Sequence, residues 1–433
     1  MMRSLRWFHV TGLFGLLVIA VAPLAAEPAP HLREPDWSRI SGAVAPPALT
    51  ARTAVLVDVE SRTILYAKNP DLVLPAASLT KLVAIDVALL AAARGELPAD
   101  EQFTPPAVSW AENQPAGSSL MFLGAGQHLT LGDLLLGLSV SSGNDAAVAL
   151  ATWLDGDVPT FAGRMNARME ELGLIDSYFV EPSGLSPQNL ITARNFARFL
   201  VAHLDQFPEA VDRYYNVRTY TYPDSRHRVA TTALQAITQS NRNTLLWSFD
   251  GADGFKTGFI DESGYHLAAT AVRDGRRLIA IVLGIDAESH AAGGALRAAE
   301  ASALLEYGFD HFVRLRFDYP TPVPVRVYRG KRPVVVPDGP ADSVIVVPAG
   351  TEGRIAGTRD QRDAVLAPVA ATAVGRVGIS LDGVDLASAS LVIPAQEAGS
   401  LWRRVLDTIV LVFRGLFEMI AGREGPMRVP SGP

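Results

Sequence analysis

The sequence predicts a mixed α/β (α+β) chain: one antiparallel sheet covered by helices, then a small all-β domain and a terminal amphipathic helix. Three observations predict it. Two strand-like runs near the start are followed by helical apolar periods, and then by a ribbon of strand-like runs from about residue 252. That order suggests a single sheet assembled from both ends of the first domain. Beyond residue 313 the helical periods stop, and short Val-rich runs alternate with Pro and Gly. A length of 433 residues suits two or three domains at roughly 150 residues each.

The elements follow in order. The opening MMRSLRWFHVTGLFGLLVIAVAPLAAEPAP has basic Arg3 and Arg6, an apolar run over 10–21, and small Ala22, Ala25 and Ala26. It reads as an export signal, residues 1–26, cleaved near Ala26. The apolar run is short for a membrane span of ~20 residues, and no cysteine follows that could carry a lipid. Residues 27–50, rich in Pro and Ala, read as a linker. An α/β domain is expected over 51–312. Residues 53–59 and 63–67 look like strands around the turn Glu60-Ser61-Arg62. A helix is expected from near Ser78 through LTKLVAIDVALLAAARG, with Gly95 as its stop. Residues 130–153, 160–172 and 295–312 carry further helical periods. GFKTGF, YHLAATAV and RLIAIVLGI are strand-like, the last two joined by the hairpin signal Asp274-Gly275. VPVRVY, PVVVP, SVIVVP, VGRVGISLDG and SLVIP define the β domain, residues 313–398.

The last element, residues 400–422, repays a helical projection at 100° per residue. Arg403, Arg404, Asp407, Arg414 and Glu418 share one stripe about 100° wide. The rest of the circumference is apolar, including Trp402, Leu406, Ile409, Phe413 and Phe417. So broad an apolar face suits a helix lying in a membrane interface rather than one packed on its own domain.

Composition excludes several classes. The net charge is −7, from 38 Lys+Arg and 45 Asp+Glu, which argues against a nucleic-acid partner. The absence of cysteine excludes thiol catalysis, zinc ribbons and disulfide staples. HExxH, GxSxG and glycine-rich phosphate loops are also missing, which disfavours a zincin, an ordinary α/β-hydrolase or a nucleotide enzyme. No metal and no cofactor are expected.

What remains is a constellation of three motifs: Ser78-Leu79-Thr80-Lys81 opening the first long helix, Ser142-Gly143-Asn144 ending a helical stretch, and Lys256-Thr257-Gly258 on the first strand of the ribbon. Each alone is weak; their order and placement make them specific. Residues three apart on a helix face the same way, so Lys81 can reach the Ser78 hydroxyl. A serine needs a base to become a nucleophile. Lysine is that base only if burial or nearby positive charge lowers its pKa, and arginine cannot serve. The chain has only four lysines, Lys68, Lys81, Lys256 and Lys331, so two of the four fall inside these motifs. Ser142 could relay a proton and Asn144 hold a peptide backbone. Lys256 and Thr257 suit a terminal carboxylate. Backbone N–H groups of Ser78 and Phe259 could form an oxyanion hole.

These motifs, with GSSLMFLGAGQ, SSGNDAAVALA, MNARMEELGL, NRNTLLW, DGFKTG, GYHLAA and the β-domain stretch APVAATAVGRVGISLDG, resemble the low-molecular-mass penicillin-binding proteins that are serine-type D-alanyl-D-alanine carboxypeptidases, of the penicillin-binding protein 5 type. The resemblance implies the penicillin-binding/β-lactamase-like transpeptidase fold. It also implies that Ser78 is acylated, Lys81 is its base and Ser142 assists proton transfer. Asn144, Lys256, Thr257, Gly258 and Phe259 would bind substrate, with Arg297 at the terminal carboxylate and Arg242 on the site wall. The implied partners are peptidoglycan stem peptides ending in D-Ala-D-Ala, β-lactam antibiotics and, through the terminal helix, the periplasmic face of the inner membrane. Two positions depart from the family: Phe259, often His, and Ser183, where His is common before Gly-Leu. Glu181-Pro182 is similar to the deacylating loop of class A β-lactamases, although a Glu-Pro pair is common in loops. A DD-endopeptidase and a β-lactamase are the alternative activities for the same site.

Overall fold

The computed structural model describes residues 28–97, 101–227 and 235–420; the expected export signal lies outside them. Strands β1 (Thr53–Asp58) and β2 (Thr63–Lys68) form the first hairpin. Helices α1 (Thr80–Ala93), α2 (Leu131–Leu136), α3 (Asn144–Asp155), α4 (Val158–Glu171) and α5 (Ala193–Gln206) make the middle layer. Strands β3 (Ala252–Ile260), β4 (Gly264–Arg273) and β5 (Arg276–Ile285) precede α6 (His290–His311). The sheet runs β2-β1-β5-β4-β3, antiparallel throughout. Its two chain ends meet where β1 pairs with β5, from Thr53 opposite Leu283 to Asp58 opposite Leu278. That leaves β3 as an edge strand beside the helical layer.

Alternation along the strands feeds two cores. Val55, Val57, Ile279, Ile281 and Leu283 pack with the helical layer. Ala54, Leu56, Leu278, Ala280 and Val282 pack with Ala301, Leu304 and Leu305 of α6. Because both faces are covered, these strands read as nearly unbroken apolar runs. At the β4–β5 turn, Asp274 (φ 51°) and Gly275 (φ 71°) both take positive φ, as a two-residue hairpin of matching twist requires.

Helix α1 is the axle of the helical layer. It is rich in Ala and Leu, good helix formers, and Thr80 through Ala91 are all buried. Burial on every side leaves it no polar face. It stops at Gly95, φ 75°, the left-handed position that glycine fills without strain.

The helical stretch expected over 130–153 is broken. A capping box between Thr130 and Asp133 opens α2. A π-turn over Gly137–Ser141 follows, Ser142 turns left-handed at φ 57°, and α3 starts afresh at Asn144. The apolar periodicity runs through this break, and the Ser142-Gly143-Asn144 motif, expected to end a helical stretch, marks it. Gly143 is required here, since a Cβ would lie 2.6 Å from Asp145 Oδ1 and 2.9 Å from the Met121 nitrogen.

Residues 28–50 are irregular, yet they dock instead of hanging free. Ala29, Leu32 and Ile40 are buried. Trp37 donates its Nε1–H to the Ile64 carbonyl at 3.0 Å and stands edge-on to Phe312 at 5.2 Å. The strap covers the outer edge of β2, which would otherwise present unpaired backbone groups.

Strand β6 (Phe312–Asp318) leaves α6 directly and pairs with β7 (Asp342–Pro348). Strands β8 (Ile355–Gln361), β9 (Thr372–Leu381) and β10 (Val384–Ile393) form a second antiparallel layer. Val325, Val327, Ile345, Val347, Val377, Ile379 and Leu391 fill a third core between the layers. Phe312 and Val346 belong to the α6 core and join the β region to the first domain. Helix α7 (Leu401–Ile420) ends the described chain. Its Asp407 accepts a hydrogen bond from the Arg329 backbone N–H at 2.6 Å, while Leu401, Trp402, Phe413 and Phe417 stay exposed. Among the described residues, no helix is long and apolar enough to cross a membrane.

Candidate active site

Ser78 sits in a single 3-10 turn, Ala77–Leu79, that leads into α1. Its hydroxyl does not cap the helix, so the side chain is free for another use. The preceding Ala77 holds φ 48°, a conformation costly for a residue with a Cβ. Two glycines press on this turn. A Cβ on Gly184 (φ 81°) would lie 1.8 Å from the Ala77 carbonyl oxygen, and one on Gly258 would lie 3.1 Å from the Ala77 Cβ and 3.3 Å from the Ser78 nitrogen. The Ser78 turn is thus wedged between β3 and the loop 181–186.

One helical turn further on, Lys81 is fully buried. Its Nζ lies 3.2 Å from Ser78 Oγ and 2.8 Å from Asn144 Oδ1, and it donates to the Ser183 carbonyl. Burial lowers its pKa to about 7; the Arg242 guanidinium pushes the same way, while Glu181 and Asp145 oppose. Neutral lysine has two N–H donors and one lone pair. Asn144 Oδ1 and the Ser183 carbonyl can only accept, so they take the two donors. Of its partners among the described residues, Ser78 alone has a proton to give, and the lone pair is left facing it.

The first turn of α3 supplies the opposite wall. Ser142 and Asn144 are both buried. Among the described residues, Lys81 bonds to Asn144 and not to Ser142. Next in sequence, Asp145 accepts from the backbone N–H groups of Met121 (2.8 Å) and Leu123 (3.0 Å), and Asn144 N–H donates to Ser119 O. These bonds fasten the GSSLMFL segment against the cleft.

Strand β3 brings the cations. Lys256 is buried, and its pKa is pushed well down by burial and then by Lys81, Arg242 and Arg297. Arg297, on α6, donates to the Gly258 carbonyl at 3.2 Å; burial and Arg242 lower its pKa to about 10. Thr257 is buried beside them. Phe259 is half-buried, with its ring 4.3 Å from Tyr265 and 4.8 Å from His290 between centroids. Mutually repelling cations held in place are relieved by an arriving anion.

All ten residues singled out in the sequence therefore lie on the elements that meet here. Sequence reasoning missed the Ser183 carbonyl, because a main-chain acceptor carries no side-chain signal. It also missed Asp145, whose only hint is its place directly after Asn144. A buried network under α1 was missed as well. Asp86 accepts from Arg168 Nε at 2.8 Å and lies 2.7 Å from His203 Nδ1, and His203 Nε2 lies 2.8 Å from the Tyr215 hydroxyl. The Tyr215 ring stands edge-on to Phe255, the residue before Lys256, at 5.2 Å.

Residues 41–287 match the family model described as D-alanyl-D-alanine carboxypeptidase. The chain belongs to that family. It is 33% identical over 383 residues to the D-alanyl-D-alanine carboxypeptidase DacA of Haemophilus influenzae, covering 87% of this chain and 92% of the relative. The crystal structure of penicillin-binding protein 5 from Haemophilus influenzae superposes with a TM-score of 0.71 at 33% identity, covering 82% of this chain and 99% of that one. Penicillin-binding protein D2 from Listeria monocytogenes, in its cefotaxime-bound form, matches with a TM-score of 0.53 at 30% identity over 61% of this chain and all of that one. As a member of the carboxypeptidase family, the chain has the mixed α/β fold with antiparallel sheet, C-terminal β domain and terminal helix expected from its sequence.

Proposed function

We propose that the protein is a serine-type D-Ala-D-Ala carboxypeptidase that removes the terminal D-alanine from peptidoglycan stem peptides through an acyl-enzyme on Ser78. The observation that carries this reading is the set of three partners around Lys81 Nζ, which leaves its lone pair for the Ser78 hydroxyl.

The reaction follows from the side chains. The substrate's terminal carboxylate settles against Lys256, Arg297 and Thr257, with Arg242 adding positive potential. Asn144 holds the peptide backbone. Lys81 takes the Ser78 proton as Oγ attacks the carbonyl of the penultimate D-alanine. The backbone N–H groups of Ser78 and Phe259 receive the developing oxyanion. The proton passes from Lys81, with Ser142 assisting, to the departing D-alanine nitrogen. Water then attacks the ester as Lys81 takes its proton, the bond from the carbonyl carbon to Oγ breaks, the proton returns from Lys81 to Ser78 Oγ, and the shortened peptide leaves. A β-lactam carbonyl acylates the same oxygen, which makes the protein penicillin-binding.

We also propose export to the periplasm and peripheral attachment to the inner membrane by α7. In support, Asp407 of the charged stripe is tied to the β domain, and the apolar residues Trp402, Phe413 and Phe417 face outward. Such a helix suits an interface and not a span. The catalytic reading is tested by incubating the protein with a D-Ala-D-Ala-terminated peptide and scoring released D-alanine. Release by the protein and none by Ser78→Ala is the expected result; equal release by both rejects it.

A further inference from the structure

Glu181 is the acidic residue nearest in role to a β-lactamase deacylating base, and its surroundings give it a different task. Its Oε1 accepts from the backbone N–H of Gly184 (2.7 Å) and Ser186 (3.2 Å) and from Asn189 Nδ2 (2.9 Å). Its Oε2 accepts from the backbone N–H (2.6 Å) and hydroxyl (2.5 Å) of Ser183. A carboxylate offers about four lone-pair sites; five donors fill them and leave none to take a proton from water. The ring of bonds instead shapes the loop against the catalytic turn. The Ser183 carbonyl receives Lys81 Nζ, Gly184 rests on Ala77, and Asn189 reaches Thr80 Oγ1 (3.1 Å) and the Ala76 backbone N–H (2.7 Å).

We infer that Glu181 is a positioning residue for acylation: it holds the Ser183 carbonyl on Lys81, so that the lysine's lone pair is left for Ser78. This role rests on the reading of Lys81 as base. It differs from deacylation chemistry, because Glu181 acts through the loop and its charge, never on the substrate. The charged groups facing Lys81 are Glu181 from the loop, Asp145 from α3, Arg242 from the segment before β3, and Lys256 from β3 itself. Glu181 and Asp145 favour the protonated lysine, and Arg242 disfavours it. Neutralising Glu181 therefore moves Lys81 toward a lower pKa, in addition to loosening the carbonyl.

The test is the acylation rate by a fluorescent penicillin, followed from pH 5 to 9, for the wild type, Glu181→Gln and Glu181→Asp. Glu181→Gln is expected to acylate roughly ten- to a hundredfold more slowly at its optimum. Its acidic limb should move down by about half a pH unit or more. Glu181→Asp keeps the charge but is one methylene too short, so it should be slow with its limb unmoved. A slow Glu181→Gln whose limb stays in place marks a merely structural residue and overturns the inference, as does a Glu181→Gln indistinguishable from wild type. Should Glu181→Gln not fold, Glu181→Asp decides: an undiminished rate overturns the role. Normal labelling of Lys81→Arg would instead remove the lysine-base reading, and this role with it.

Discussion

Lys81 Nζ lies 3.2 Å from Ser78 Oγ, with its other contacts, Asn144 Oδ1 and the Ser183 carbonyl, on groups that only accept. Burial holds the amine's pKa down to about 7, and its neutral form has one direction in which to be basic. Replacement by arginine keeps the charge and removes the base, since guanidinium does not deprotonate in proteins. Lys81→Arg should lose acylation by ~10²–10⁴-fold, read as labelling of Ser78 by a fluorescent penicillin.

The same amine sets a pH dependence. With its pKa lowered to about 7, Lys81 is protonated below that pH and free to act above it. The acylation rate should therefore climb as pH rises through about 7, and a rate constant flat from pH 5 to 8 contradicts it. Stability is linked with the same sign. Between about 7 and the ordinary lysine value of 10.5, the unfolded chain holds the proton that the folded chain has lost, so folding becomes more favourable as pH increases. Below 7 both states are protonated, and burial of the charge weighs fully against folding.

Gly184 allows the loop and the Ser78 turn to touch. Gly184→Ala would drive a Cβ to 1.8 Å from the Ala77 oxygen at φ 81°. It should destabilise the protein by more than about 1 kcal/mol, seen as a lower midpoint in urea unfolding, and should slow acylation together with it. An unchanged midpoint would show that the loop does not bear on the turn.

Beneath α1, Asp86 has no solvent to turn to. Asp86→Asn removes the buried counter-charge of Arg168, leaving it only the more exposed Glu171 at 3.6 Å, and takes the charge from the partner of His203. Breaking one side of such a pair costs roughly 3–5 kcal/mol. Denaturant unfolding should show that loss. A change under 1 kcal/mol would mean the network is solvated in solution.

A chain ending at Gly399 lacks α7. It should keep full peptidase activity and remain in the soluble fraction of a lysate, whereas the full chain is expected to sediment with membranes. Equal sedimentation of both would place the anchor elsewhere.

Much of this was legible in the residues, for reasons that differ by element. The β1–β5 pairing could be inferred because strands at both ends of one domain need a common sheet to bury their apolar runs. Ser78 and Lys81 were legible because three-residue spacing on a helix has one geometric meaning, and because lysine is scarce in this chain. The break between α2 and α3 was legible only in part: Ser142-Gly143-Asn144 marks the end of a helical stretch, while apolar periodicity continues through Ser142 and Gly143. The docking of residues 28–50 on β2 was masked by a Pro- and Ala-rich composition that also suits a free linker. The Ser183 carbonyl left no trace at all, because the chemistry sits in the backbone and the fold alone aims it. Glu181 was visible as a motif, but its five donors could be known only once the loop was in place.

The central claim is that the Ser78 oxygen forms the covalent bond. Its most direct measure is the intact mass of the protein after exposure to ampicillin, followed by peptide mapping of any adduct. One added ampicillin mass is expected, located on Ser78 and absent in Ser78→Ala. An unmodified mass, or an adduct mapped to another residue, would contradict it.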